Sequence, residues 1–91
     1  MLVAIIARDK PGSLELRKAT REAHLAYFES SGDTVRLAGP LLDEAGEMCG
    51  SLLVVEVESL QAARDWAAEE PYAKAGLFQS VEINAWKKVI G

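Results

Sequence analysis

The chain has 91 residues, 49% of them hydrophobic and 26% charged, with a formal net charge of −4. That length gives room for one domain, expected to span residues 1–91, and the composition is that of a folded chain rather than a disordered one. The acidic balance argues against nucleic acid as a partner, because phosphate binding rests on clustered Lys and Arg, and against an anionic membrane surface for the same reason. Cys49 is the single cysteine, so no intrachain disulfide can form. No stretch approaches the ~20 apolar residues of a membrane span. The N-terminal apolar run reaches Arg8-Asp9 at once and has no basic segment before it, unlike a secretory leader. A cytoplasmic protein is expected.

Taken in order, residues 2–7 (Leu-Val-Ala-Ile-Ile-Ala) predict a first strand, stopped by the turn cluster Asp9-Lys10-Pro11-Gly12. Ser13 stands at the N-cap position of a helix predicted over 14–30, with Glu15 in its first turn and Ser31-Gly32-Asp33 at its end. A short second strand follows over 34–38, closed by Gly39-Pro40, and a connection through Asp43-Glu44-Ala45-Gly46 leads to a third strand over 49–57. Ser59 caps a second helix predicted to run through Glu70, with Leu60, Ala63, Trp66 and Ala67 at helical spacing. Pro71-Tyr72 breaks that helix, 73–76 add a further turn, and the alternation over 77–87 gives a fourth strand. The order βαββαβ predicts an α+β, ferredoxin-like fold: a four-stranded antiparallel sheet with both helices on one face.

Two helices cover one face of such a sheet, and a strand with one wet face should alternate. The first strand has six consecutive apolar residues and the third has four, Leu52 to Val55. Four or five exposed aliphatic side chains forgo ~1.5–3 kcal/mol each, against a total stability of about 5–15 kcal/mol for a small domain. A homodimer joined through the free sheet face supplies the missing layer; the C-terminal tail or the connection between strands two and three is the other candidate cover.

On the first helix Leu16, Ala19, Ala23 and Ala26 share a face predicted to pack on the sheet, with Tyr27 at its edge. A second stripe, Leu14, Arg17, Arg21, His24 and Phe28, has spacings of three and four, so these residues are surface neighbours. The only histidine thus sits beside two arginines. An unperturbed histidine titrates at about pH 6.5, which suits general acid–base work. In one reading the arginines hold a carboxylate or phenolate substrate for His24; in the other they pair with surface carboxylates and His24 only packs. Ser51, beside Gly50, offers its hydroxyl to the same cleft or is a strand-edge serine. Tyr72 either binds substrate through its phenol or caps the core.

Leu14-Glu15, Arg17, Arg21, Ala23-His24-Leu25, Gly39-Pro40, Gly50-Ser51, Glu58-Ser59-Leu60-Gln61-Ala62-Ala63, Trp66-Ala67 and Pro71-Tyr72 with Ala75-Gly76 resemble the YciI-like (YCII-related) family along nearly the whole chain. The resemblance implies the dimeric α/β barrel form of the ferredoxin-like fold. It also implies a catalytic His24 paired with an acid that precedes the Pro-Tyr pair; here that position is Glu70, where the family usually has aspartate. One member of the family removes chloride from a chlorinated hydroxyhydroquinone.

No zinc or other metal site is expected from one His and one Cys, no glycine-rich phosphate loop is present, and Ser51 lacks a nucleophile elbow. The expected function is a small acid–base enzyme without cofactor, of lyase or isomerase type. It would use His24 and Glu70 on a small aromatic or cyclic substrate bound by Arg17, Arg21, Ser51 and Tyr72. The alternative is a non-catalytic module that senses a small metabolite in the same pocket.

Overall fold

The computed structural model describes residues 1–91. Strand β1 (Leu2–Asp9) leads into helix α1 (Leu14–Ser30), and β2 (Val35–Leu42) and β3 (Met48–Glu56) follow as a hairpin. Helix α2 (Leu60–Ala68), the one-turn helix α3 (Pro71–Lys74) and β4 (Phe78–Ala85) complete the chain. The strands form one antiparallel sheet in the order β2-β3-β1-β4, the ferredoxin-like arrangement the element order implies. The two strands with unbroken apolar runs occupy its middle, where both faces can be covered. Val3 stands opposite Val55, and Ile5 opposite Leu53. These four residues and Ala63 of α2 make the core under the helices, each at most 5% exposed.

The opposite face remains partly bare. Leu37 is 65% and Leu52 is 44% exposed. The C-terminal tail leaves β4 with a hydrogen bond from the Trp86 N–H to the Leu2 carbonyl. Trp86, Lys88 and Ile90 border a broad hollow on this face together with Leu2, Leu37 and Val54. The tail therefore lies against the face without sealing it.

Several local details differ from the sequence expectation. Gly39-Pro40 does not close β2, which runs on to Leu42 with Pro40 opposite Ser51. β2 is an edge strand, and a proline there gives up no ladder hydrogen bond on its solvent side. Helix α2 stops at Ala68, and Glu70 is extended with ψ 132° because it precedes Pro71. Ser13 occupies the N-cap position of α1 but makes no side-chain cap bond, whereas the Ser59 hydroxyl accepts from the Ala62 N–H at 3.0 Å.

The face of α1 is the main correction. Leu16, Ala19, Ala23 and Ala26 do not pack on the sheet: all are exposed, Leu16 at 38%. The buried residues of this helix are Arg17 and His24. Burying polar groups is favourable only when they meet partners, and β1 and β3 provide those of Arg17 while the junction of α2 and α3 provides that of His24.

Candidate functional site

Arg17 is 2% exposed. Its Nε donates to Asp9 Oδ2 at 2.7 Å, and its Nη2 donates to Asp9 Oδ1 at 2.9 Å and to Ser51 Oγ at 2.9 Å. A fork of this kind is among the stronger side-chain interactions. Asp9 comes from the last position of β1, just past a slip in register against β4. Burial works against the Arg17 charge, but the hydrogen bonds and charge of Asp9 outweigh it and hold the guanidinium above its ordinary pKa. The Arg17 guanidinium carbon also lies 4.6 Å from the centre of the Tyr72 ring.

His24 lies between two aromatic rings. Tyr72 stacks on it at 3.9 Å between centroids and 16° between planes, and Phe28 tilts against it at 4.2 Å. Its Nδ1 meets the carboxylate of Glu70 in a buried hydrogen bond. The second oxygen of that carboxylate accepts the Tyr72 N–H at 3.1 Å, so Glu70 is also the N-cap of α3. A neutral imidazole that donates to a carboxylate through Nδ1 keeps its lone pair on Nε2. Nε2 has no partner in the protein, yet no buried side-chain nitrogen or oxygen is left unpaired. Nε2 therefore borders open space.

His24 borders two hollows, of which the wider, about 170 Å³, lies between α1 and the β2–β3 hairpin. Arg17, Arg21, His24, Phe28, Ser51 and Tyr72 are among the residues that line it. Arg21 is exposed at its rim. Burial, opposed by the charge of Arg17, keeps the Tyr72 phenol above the usual tyrosine range and so protonated at neutral pH. Glu70 does not line this hollow; it stands behind the imidazole and borders a smaller one that also touches His24 and Ser51.

The structure thus brings together the six residues singled out from the sequence, in two tiers. His24, Arg21 and Tyr72 border the hollow, while Glu70 supports His24 from behind. Arg17 and Ser51 border it as well but are bonded to each other. Arg17 is largely committed to Asp9, a residue that sequence reasoning read only as part of a turn. The available signal was a lone acid closing an apolar strand shortly before a helix whose polar stripe begins with an arginine.

Fold and site together define a small ferredoxin-like α+β protein with a histidine–carboxylate pair beside a hollow of about 170 Å³. The YCII-related domain matches residues 1–87, and the chain belongs to that family. It is 43% identical over 98 residues to an uncharacterized protein of Haemophilus influenzae, covering 98% of this chain and 99% of the relative. It is 42% identical over 97 residues to the protein YciI of Escherichia coli O6:H1, with the same coverage. Among solved structures it is similar to the 5-chloro-2-hydroxyhydroquinone dehydrochlorinase TftG of Burkholderia phenoliruptrix AC1100, in complex with 2,5-dihydroxybenzoquinone. There the TM-score is 0.87 at 36% identity, covering 96% of this chain and 94% of that one. An antibiotic biosynthesis monooxygenase, 12% identical with a TM-score of 0.60, shares the fold alone. No helix of the chain is long and apolar enough to cross a membrane.

Proposed function

We propose that the chain is a small cofactor-independent acid–base enzyme of lyase or isomerase type, acting as one domain of residues 1–91 in the cytoplasm. His24 moves a proton on a small aromatic or cyclic substrate, and Glu70 holds the imidazole in one tautomer and supports it while it carries the proton. Arg21 at the rim offers its charge to a carboxylate or phenolate, and Arg17, Ser51 and Tyr72 complete the wall. The observation that carries this reading is an imidazole bonded through Nδ1 to a buried carboxylate, with Nε2 unbonded and the residue lining the hollow. About 170 Å³ suits a single six-membered ring, since an engineered cavity of about 150 Å³ binds benzene. The likeness to a dehydrochlorinase whose named substrate is one hydroxylated ring supports the same class.

The test is turnover of small hydroxylated ring compounds, followed by loss of substrate and by proton or halide release. His24→Ala and His24→Asn are expected to lower the rate by about 10²–10⁴ while the circular dichroism spectrum is kept. Unchanged turnover overturns the proposal. A ligand that raises the melting temperature of the protein but is never converted favours the sensing module instead.

The same proposal includes a homodimer through the outer sheet face, supported by the exposed Leu37 and Leu52 beside the tail. Sedimentation should give twice the chain mass, and Leu52→Asp should halve it.

A further inference from the structure

We infer, on the acid–base reading just given, that the substrate presents a carbonyl oxygen to Arg17 and Ser51 while His24 takes a proton from the carbon beside that carbonyl. A guanidinium carries five N–H donors. Arg17 spends three of them, two on Asp9 and one on Ser51. It meets Tyr72 over the ring face, 4.6 Å from the centre, and not through a hydrogen bond. The two donors on Nη1 make no bond, although Arg17 is only 2% exposed. Since no buried side-chain nitrogen is left unpaired, Nη1 touches open space, and Arg17 borders the wider hollow. Ser51, equally buried, lines the same hollow. Its oxygen accepts from Arg17, and its own proton has no acceptor in the protein. A hydroxyl that accepts from a cation donates more strongly in turn.

Unbonded donors on Arg17 and Ser51, beside a base, suit an oxygen that gains charge during reaction. Charge balance favours a carbonyl over a carboxylate in that place. Asp9 already neutralises Arg17, and Glu70 adds a buried negative charge. A carboxylate would bring a second one, at the cost of its hydration. A carbonyl arrives neutral and becomes an enolate only as His24 becomes a cation, so the total charge is unchanged. In that step Nε2 bonds the proton, the C–H electron pair forms a carbon–carbon double bond, and the carbonyl π pair moves to oxygen. When the oxygen pair re-forms the carbonyl, return of the proton to another carbon completes an isomerisation. Departure of a β-substituent with its electron pair completes an elimination.

The oxygen site is probed with 4-nitrophenol, read by the absorbance of its anion one pH unit below its own pKa, where the free compound is mostly uncharged. Wild-type protein should ionise it on binding, the proton passing to His24. Ser51→Ala should weaken binding of the anion about tenfold or more, the loss expected for one hydrogen bond to a charged group. Ser51→Cys, whose thiol is a weak donor, makes the same test should Ser51→Ala not fold. Reaction is read with cyclohex-3-enone, whose conversion to the conjugated ketone passes through this enolate. There the Ser51 variant should lower kcat by about 10² and leave KM for the neutral ketone nearly unchanged. A phenol left uncharged by the wild type, an anion bound equally without the Ser51 hydroxyl, an anion lost in Arg21→Ala alone, or a kcat unmoved by the Ser51 change overturns the inference. Each of those leaves His24 chemistry on other substrates standing. Anion binding that depends on Ser51, with a ketone never isomerised or isomerised equally by His24→Asn, removes the acid–base reading and the enolate with it.

Discussion

Glu70 bonds His24 through one carboxylate oxygen while its other oxygen takes the backbone N–H of Tyr72, the residue stacked on that same imidazole. One side chain therefore fixes the ring's hydrogen bond and starts the turn that supplies the ring's stacking partner. Glu70→Ala should cost stability on both counts. Loss of a helix cap is worth about 1 kcal/mol, and an abandoned buried donor about 1–3 kcal/mol. Urea unfolding should report a loss of about 2–4 kcal/mol. Glu70→Gln should lose less stability and still show an altered His24 imidazole in nitrogen-detected spectra, because a neutral amide holds the tautomer less firmly. A variant as stable as the parent would detach Glu70 from the architecture.

The Asp9–Arg17 fork predicts a stronger effect. Asp9→Asn leaves a buried guanidinium facing an uncharged group, and breaking one side of a buried pair is expensive. Both side chains are shielded from water, so the expected cost is about 3 kcal/mol or more. The double change Asp9→Leu with Arg17→Met should recover part of it. Additive losses in the double variant would count against the pairing.

Alkaline titration has a definite sign. The Tyr72 and Tyr27 phenols are both held above their ordinary range, chiefly by burial. The folded chain keeps these protons where the unfolded chain releases them, so stability is complete below about pH 10 and declines as pH rises from there through the folded-state values. Unfolding midpoints between pH 9 and 11.5 should fall, and the fall should be shallower in Tyr72→Phe. An identical slope in that variant removes Tyr72 from the account.

Gly50 is placed where a side chain has no room. A Cβ there would lie 2.4 Å from the Ala7 carbonyl oxygen and 3.0 Å from Leu41 Cδ1. The first of these is backbone in the middle of the sheet, so β1 and β3 must part. Gly50→Ala should cost about 2 kcal/mol or more, which for a chain of this size lowers the melting temperature by roughly 10 °C. A shift under 2 °C would show that the strands adjust freely. Ser51 is the next residue, so the same variant should also loosen the Ser51–Arg17 bond.

The topology was legible in the sequence because strand and helix periods, the Pro-Gly and Pro-Tyr punctuation and the Ser59 cap are local signals. The stripe of Arg17, Arg21, His24 and Phe28 was legible for the same reason. Its orientation was not. Hydropathy assigns the alanine face of α1 to the core, yet Arg17 and His24 are the residues buried. Their partners Asp9, Ser51 and Glu70 lie 8, 34 and 46 positions away, and a helical wheel carries no record of them. Gly39-Pro40 misled in a similar way: whether proline stops a strand depends on which edge its missing N–H faces, and strand order decides that.

The inward polar face of α1 has a consequence for descent. The groups that would handle a proton are also among those that fasten α1 to the rest of the fold, so a lineage could abandon the reaction and still be more stable with Asp9, Arg17, His24 and Glu70 in place. Drift from such a cluster demands several simultaneous replacements. Persistence of the quartet in a descendant is thus evidence of inherited masonry, and turnover has to be demonstrated in its own right.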